Sequence, residues 1–312
     1  NSGMYYLKEI SISDSYYLDE EPIPVQLCYK DAVTPVIYVN CRKENKQTTN
    51  EIDKLSVADS SEIAGCNLVI TDAEGKEIIS WTSGDKDSVK VSVTEKDGYC
   101  NLKYSFDEKG NLHVGGLLHD KDYTLTETRP ADGYVTADAI VYQIKQKTAE
   151  DGSVSSVVSI KQENGTYADQ EDDKTVMVDE QTHIQLLKLD KKSGQALGGA
   201  KFVVTDSKGK EVMKFVTKDE AYDITGKLVV GETYTFTETS APSGYQLAEP
   251  VEITIKDTSK VQTVTVKDAP IPDVPDTPQT GGTLPVIPLA AGLFGVAAAA
   301  LMVWKKRGVV KK

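Results

Sequence analysis

The sequence is poor in the residues that build metal centres and catalytic sites. Among its 312 residues there are three histidines and four cysteines. The cysteines lack the paired spacing of a zinc site, and the histidines are scattered, with no cysteine or aspartate at catalytic spacing. These residues are Cys28, Cys41, Cys66, Cys100, His113, His119 and His183. The sequence therefore predicts no metal site, no cofactor and no enzyme that acts on outside substrates.

Positive charge is scarce as well. The formal net charge is -13, and because the last residues are basic, the part that precedes them is more acidic than the total suggests. Such an acidic surface repels a phosphate backbone. Nucleic acid is therefore excluded as a partner.

Long apolar segments are almost missing, since the chain has one, at residues 283–304. As a helix this segment would span roughly 33 Å, about one bilayer core. The basic tail 305–312 follows directly and predicts a cytoplasmic end, with the acidic body outside the cell. The sequence has no signal peptide, and because it opens on Asn1 in a strand-like segment, we expect a fragment of a longer protein.

Internal repeats organise the rest of the chain. A pattern of Tyr, Glu and Tyr with fixed spacing occurs three times, and a second set of residues, Lys, Gly, Thr-Asp and Gly, occurs twice at a constant offset. The first pattern is Tyr5, Glu9, Tyr16, then Tyr123, Glu127, Tyr134, then Tyr234, Glu238, Tyr245. The second is Lys54, Gly65, Thr71, Asp72, Gly75, then Lys188, Gly199, Thr205, Asp206, Gly209. The earlier of the two full repeats carries insertions around 86–110 and after Glu127.

Short β-type runs separated by Gly- and Asp-rich turns predict an all-β fold of tandem β-sandwich modules, followed by a C-terminal transmembrane helix. Within a module, Cys28 could pair with Cys41 and Cys66 with Cys100, and free thiols are the alternative. The predicted domains are a truncated module at 1–48, a module with insertions at 49–182, a module at 183–269, a Pro-rich linker with a sorting motif at 270–282, the transmembrane helix at 283–304 and the tail at 305–312.

The alternation of side chains along the predicted strands places several ionisable residues on the face that points to the core. In the strand Tyr123–Glu127, the acid shares a face with Tyr123 and Leu125, and Glu238 has the same surroundings in its repeat. The same alternation puts a Lys near the start and an Asp near the end of each full module on the apolar face. These residues are Lys54, Glu127 and Asp179 in one module and Lys188, Glu238 and Asp268 in the next.

Burial changes the chemistry of such groups. A desolvated Lys tends toward the neutral, nucleophilic amine, and a desolvated Asp tends toward the neutral acid. A neighbouring Glu can carry protons between them. Each triad therefore predicts an autocatalytic Lys-Asp isopeptide bond between the first and last strands, with Glu127 and Glu238 as proton shuttles. The alternative is that these are ordinary strand residues whose charged groups face the solvent, and for any single Lys, Glu or Asp this alternative is favoured. The repetition of all three residues in two modules favours the isopeptide bond.

Three segments carry motifs of a known family. They are Glu62-Ile-Ala-Gly-Cys66, Thr175-Val-Met-Val-Asp179 and the run at 237–245, Thr-Glu-Thr-Ser-Ala-Pro-Ser-Gly-Tyr. Together they resemble collagen-adhesin B-type modules, also called prealbumin-like SpaA-type pilin domains. The resemblance implies the same Lys, Glu and Asp roles. The middle module departs from the pattern, since Pro130 comes one place early. The truncated module has Glu9 without the following Pro and Gly. The residue that would be linked to a Lys in this module is Asn45 by its spacing from Lys54, whereas Asn40 fits the strand alternation better.

The C-terminus resembles a sortase sorting signal of the LPxTG type, formed by a pentapeptide, an apolar span and a basic tail. The pentapeptide is Thr277, Pro278, Gln279, Thr280 and Gly281, with Thr277 where the family pattern has Leu. The resemblance implies cleavage between Thr280 and Gly281 by a sortase and transfer to peptidoglycan. The chain would then be extracellular and anchored to the cell wall, and would occupy the membrane only before sorting.

We therefore expect the load-bearing stalk of a Gram-positive surface adhesin. A host extracellular-matrix protein would bind, if at all, through the missing N-terminal region. Two alternatives remain open: a pilus subunit polymerised by sortase, and the stalk of a surface hydrolase whose catalytic domain is missing.

Overall fold

The computed structural model describes residues 3–33 and 38–272. The described part of the chain is 47% strand and 1% helical, which confirms the predicted all-β class. Within the described ranges, no helix has the length and apolar character needed to cross a bilayer. The predicted transmembrane helix at 283–304 and the sorting motif at 277–281 lie outside the described residues.

The N-terminal part contains one antiparallel pair of strands, β1 (Gly3–Leu7) and β2 (Ile23–Leu27). Tyr5 lies opposite Val25 in this pair. The chain then joins the following strands through an isolated bridge between Tyr16 and Gln47. We call residues 3–48 the N-terminal segment.

Eleven strands between residues 49 and 179 form what we call the first sandwich. One sheet has the order β12-β11-β10-β9-β4-β5-β6 and the other the order β13-β3-β8-β7. A buried apolar core contains residues from both sheets, among them Ile70, Leu112 and Leu125. The strands are β3 (Thr49–Ser56), β4 (Asn67–Asp72), β5 (Glu77–Thr82), β6 (Asp85–Val91), β7 (Lys103–Phe106), β8 (Leu112–Gly115), β9 (Tyr123–Arg129), β10 (Ile140–Thr148), β11 (Val154–Lys161), β12 (Tyr167–Asp169) and β13 (Lys174–Asp179).

Seven strands between residues 184 and 268 form the second sandwich. Its sheets have the orders β17-β14-β20 and β16-β15-β18-β19, and Leu186, Phe202 and Phe236 lie in its core. The strands are β14 (Ile184–Asp190), β15 (Lys201–Asp206), β16 (Glu211–Val216), β17 (Tyr222–Asp223), β18 (Thr233–Ser240), β19 (Val251–Thr254) and β20 (Gln262–Asp268).

The repeated Thr-Asp and Gly residues make the same hairpin in both sandwiches. After β4, the Asp72 Oδ1 accepts hydrogen bonds from the backbone N–H groups of Glu74 and Lys76, at 3.1 and 2.8 Å. Gly75 there has a φ of +81°, which glycine adopts without a Cβ clash. An Asp at the first position and a Gly with positive φ are typical of such turns. Asp206 and Gly209 repeat the arrangement after β15.

Each sandwich brings its first and last strands side by side in parallel. In the first, β3 pairs with β13, with Lys54 opposite Met177 and Ser56 opposite Asp179. In the second, β14 pairs with β20, with Lys188 opposite Val266 and Asp190 opposite Asp268. Because side chains alternate between faces, the Lys and an Asp two positions further along the partner strand point to the same side of the sheet.

Candidate cross-linking sites

Lys54 is an ionisable residue in the core of the first sandwich. It lies in the middle of β3, and its alternation partner Ile52 is also buried. Only 3% of Lys54 is exposed. A buried ammonium needs oxygen partners, because its loss of hydration is otherwise uncompensated.

Two carboxyl groups surround the Lys54 amine. Nζ donates a hydrogen bond to Asp179 Oδ1, and it lies 3.1 Å from Glu127 Oε1. Both acids have no exposed side-chain surface. The three groups come from β3, β9 and β13, so the site joins both sheets of the sandwich across the core.

The backbone holds Glu127 in position from the side away from the lysine. Its Oε2 accepts a hydrogen bond of 2.7 Å from the Ala137 N–H. This leaves Oε1 facing the Lys54 Nζ. The Glu127 carboxylate is therefore held beside the Lys54 amine and the Asp179 carboxyl group.

Burial also changes the pKa of the aspartic acid in the first site. It raises the pKa of Asp179 to about 6, and the nearby Glu127 carboxylate adds to the rise, while Lys54 opposes it. An aspartic acid with such a pKa is neutral over a wider pH range than an exposed one. The neutral acid is the form from which an amide can be made.

The second sandwich repeats the arrangement with different core residues around it. Lys188 is 1% exposed, donates to Asp268 Oδ1 and lies 2.9 Å from Glu238 Oε1. Glu238 Oε2 accepts a hydrogen bond of 2.8 Å from the Ala248 N–H. Burial raises the pKa of Asp268, with a contribution from Glu238. The structure thus brings together all three residues that the sequence predicted in each module.

The profile of the SpaA family, described as a prealbumin-like fold domain, matches residues 48–162 and 182–270. These ranges contain most of the chain and five of the six triad residues. The chain belongs to this family. Asp179 lies in the short interval between the two matched ranges.

Several solved structures are similar to this chain at low identity. The Bacillus anthracis TIE protein is 23% identical over 86% of this chain and 42% of its own, with a TM-score of 0.40. The shaft pilin SpaA of Lactobacillus rhamnosus GG is 15% identical over 73% of this chain and 99% of its own, with a TM-score of 0.26. The pilus adhesin SpaC of the same organism, in its open conformation, is 17% identical over 74% of this chain and 32% of its own, with a TM-score of 0.33.

The chain therefore spans less than half the length of the first of these proteins. No curated protein matches the chain.

The N-terminal segment of this SpaA-family chain brings its two predicted residues together as well. Asn45 Nδ2 donates a hydrogen bond of 2.9 Å to Glu9 Oε1. Asn40, the alternative acceptor, is exposed. The geometry therefore favours Asn45 over Asn40 as the partner of Glu9.

Sequence reasoning missed one residue of the first site, Cys66. Its Sγ donates to the second oxygen of Asp179, Oδ2, at 3.7 Å, and the residue is fully buried. The repeat alignment contained a signal, because Gly65-Cys66 matches Gly199-Ala200 and only the first site has a thiol there. The Cys66, Glu127 and Asp179 ligand atoms lie within 4.8 Å of one another, but the Lys54 Nζ already contacts both acids.

The four cysteines are free thiols. Cys28 and Cys41 are exposed, Cys100 is partly buried and Cys66 is buried. Neither disulfide considered from the sequence, Cys28 with Cys41 or Cys66 with Cys100, is formed.

Proposed function

We propose that Lys54 condenses with Asp179, and Lys188 with Asp268, to form one isopeptide bond in each sandwich. The observation that carries the proposal is that two buried Lys, Glu and Asp triads have the same geometry on equivalent strands. A single buried triad would fit an ordinary ion pair. A charged pair in an apolar core is costly, however, and two such pairs in equivalent positions favour a chemical role.

The proposed reaction needs no cofactor. The neutral Lys54 amine attacks the Cγ of the neutral Asp179 acid and forms the N–C bond. Glu127 accepts a proton from Nζ and passes it to the departing hydroxyl, so that one C–O bond breaks and one water leaves. The close approach of the reactants replaces chemical activation. Glu238 has the same role for Lys188 and Asp268.

The proposed bonds give the chain a mechanical function. Each would join the first and last strands of a sandwich, so tension along the chain would pass through covalent bonds and not through the strand ladders. By analogy with a disulfide that closes a long loop, each bond would add about 4 to 5 kcal/mol to the free energy of unfolding. These properties suit a load-bearing stalk.

We extend this proposal to the whole protein as the wall-proximal stalk of a surface adhesin of a Gram-positive cell. The support comes from the sequence of the C-terminal part, where Thr277–Gly281 precede an apolar span and a basic tail. A sortase would cut between Thr280 and Gly281 and join Thr280 to peptidoglycan. In cells of a sortase-positive Gram-positive host, the chain fused behind a secretion signal should fractionate with the cell wall, and deletion of 277–281 should move it to the membrane fraction. An unchanged fractionation of the deletion variant would contradict the anchoring.

Intact-mass spectrometry tests the proposed bonds directly. Two condensations remove two waters, so the purified chain should weigh about 36 Da less than its sequence. Glu238→Ala should restore one water, about 18 Da, and lower the melting temperature, because Lys188 and Asp268 would lose their proton carrier.

Glu252→Ala is a matched control, since Glu252 lies on the neighbouring strand β19 but outside the site. It should leave the mass deficit unchanged. A wild-type mass equal to that of the plain sequence would reject both bonds. An unchanged deficit in Glu238→Ala would reject the role of the glutamate alone.

A further inference from the structure

The two sites share a pair of backbone contacts, and they differ in a side chain that lies next to the reacting acid. The Cys66 N–H donates to Ser83 Oγ at 3.0 Å, and the Ser83 N–H donates to the Cys66 carbonyl at 2.8 Å. In the second sandwich, Ala200 and Thr217 make the same pair of bonds, at 3.1 and 2.9 Å. Cys66 and Ala200 therefore occupy equivalent backbone positions, so the thiol of the first site stands where the second site has only a methyl group.

The thiol changes the surroundings of the acid that reacts. Asp179 Oδ2 accepts the Cys66 Sγ–H at 3.7 Å. In the second site, Ala200 offers no donor, and Asp268 Oδ2 is buried without a hydrogen-bond partner. A buried oxygen left without a donor is unusual, because it forfeits the hydrogen bonds it made to water.

We infer that Cys66 is a hydrogen-bond donor to the reacting carboxyl group and that it accelerates the Lys54–Asp179 condensation, an effect that Ala200 cannot provide for Lys188–Asp268. The inference rests on the proposed isopeptide bonds. It predicts that the two isopeptide bonds of one chain form at different rates.

The thiol is in the right protonation state for this role. Burial raises the pKa of Cys66 to about 12, and the nearby Glu127 carboxylate adds to the rise. The group therefore keeps its proton at neutral pH and donates it in a hydrogen bond. A thiol in this state is also a poor nucleophile, so it does not compete with the Lys54 amine for Asp179.

The hydrogen bond also selects which oxygen leaves. With Oδ2 accepting from the thiol, the acid proton of Asp179 resides on Oδ1, which faces the Lys54 amine. When Nζ adds to Cγ, the negative charge that develops on Oδ2 is stabilised by the S–H donor. Oδ1 then departs as water with the proton delivered by Glu127, and Oδ2 becomes the amide oxygen. The thiol is unchanged at the end.

The test follows both bonds in newly made full-length chain. Cell-free translation is stopped at intervals in acidic denaturant, the chain is digested, and the linked Lys54–Asp179 and Lys188–Asp268 peptides are quantified by mass spectrometry. The formation of the Lys188–Asp268 bond serves as an internal reference in every sample. Cys66→Val, which keeps a buried apolar side chain but removes the donor, should slow the first bond about three- to tenfold, as expected for one weak hydrogen bond.

Two further variants separate a donor from a packing group. Cys66→Ser restores an O–H donor and should keep the first bond within about twofold of the wild-type rate. Cys66→Ala copies the second site and should be as slow as Cys66→Val, and it replaces that variant if Cys66→Val folds poorly. In all variants the Lys188–Asp268 rate should be unchanged.

Equal first-site rates in the wild type, Cys66→Val and Cys66→Ala would overturn the inference, and so would a Cys66→Ser variant as slow as Cys66→Val. Both results leave the proposed function intact, because the linked peptide still forms. Absence of any Lys54–Asp179 peptide from the wild-type chain would instead reject the proposed function itself.

Discussion

Asp179 would be an ionisable group only until its bond forms. In an unlinked chain its raised pKa, about 6, means that the folded state binds a proton more tightly than the unfolded state does. The contribution to the free energy of unfolding is then fully present below about pH 4 and is lost as the pH rises through about 6. In the linked chain the carboxyl has become an amide and no longer titrates.

This difference predicts a pH effect in a variant that cannot form the first bond. Between pH 4 and pH 6.5, Glu127→Ala should lose stability relative to the wild type, in addition to any pH-independent difference between the two proteins. The loss has an upper value of about 2 kcal/mol, because the substitution also removes the Glu127 contribution to the raised pKa of Asp179. Urea unfolding of both proteins at a series of pH values measures the change. Parallel stability curves over this range would show that Asp179 does not titrate in the unlinked state and would contradict the assignment.

Residue patterns explain which parts of each site could be predicted. The alternation in β9 puts Tyr123, Leu125 and Glu127 on one face, and all three are buried. The contact between Cys66 and Asp179 could not be predicted in the same way. It joins the residue just before β4 to the last residue of β13 across the core. A side-chain contact between different sheets depends on packing that no local period encodes.

At the scale of elements, the parallel pairing of β3 with β13 decides which Lys meets which Asp. The order of motifs along the chain predicted that the first and last strands would be joined, but not their parallel direction or register. Register follows from the packed core face, since a shift by one residue would turn Lys54 out of the core. The strands of the insertions, such as β6 and β7, follow from turn signals, whereas their place at the edges of the two sheets follows from packing.

The connection between the sandwiches is short and hydrogen-bonded. Thr182 donates from its Oγ1 to the carbonyls of Gly133 and Leu228, both at 3.2 Å. The Thr136 N–H donates to Asp257 Oδ1 at 2.9 Å. Gly133 has a φ of +87°, and a Cβ there would meet the Gly226 carbonyl oxygen. The glycine is needed both for its backbone conformation and for this close approach of two turns.

Gly133→Ala should therefore destabilise the chain more than the same substitution at a glycine that has a similar positive φ but no neighbouring atoms. Gly152 is the matched control, with a φ of +82° and no atom within 4 Å of an added Cβ. Gly152→Ala carries only the backbone penalty of about 1 kcal/mol, whereas Gly133→Ala must also displace the facing turn, at about 1 to 2 kcal/mol more. Thermal unfolding of both variants measures the difference. Equal melting temperatures would mean that the two turns do not press against each other in solution.

At the scale of the whole molecule, the positions of the proposed bonds determine how the chain responds to tension. The linked residues lie 125 positions apart in the first sandwich and 80 apart in the second. A bond between them would remove that length from the extensible chain. An unlinked sandwich would instead release about 430 Å or about 270 Å of extended chain, at about 3.4 Å per residue.

Single-molecule pulling from the two ends of the described part should therefore distinguish four proteins: the wild type, Glu127→Ala, Glu238→Ala and the double variant. They should differ in the length of chain that each unfolding step releases. The wild type should show neither step, Glu127→Ala only the step of about 430 Å, Glu238→Ala only the step of about 270 Å, and the double variant both. Because each step length comes from one pair of residues, the assignment of each glutamate to its own bond is tested in the same experiment. Full-length unfolding of both sandwiches in the wild type would show that tension is carried by the strand ladders alone, and a stalk strengthened by covalent cross-links would then be the wrong description of this chain.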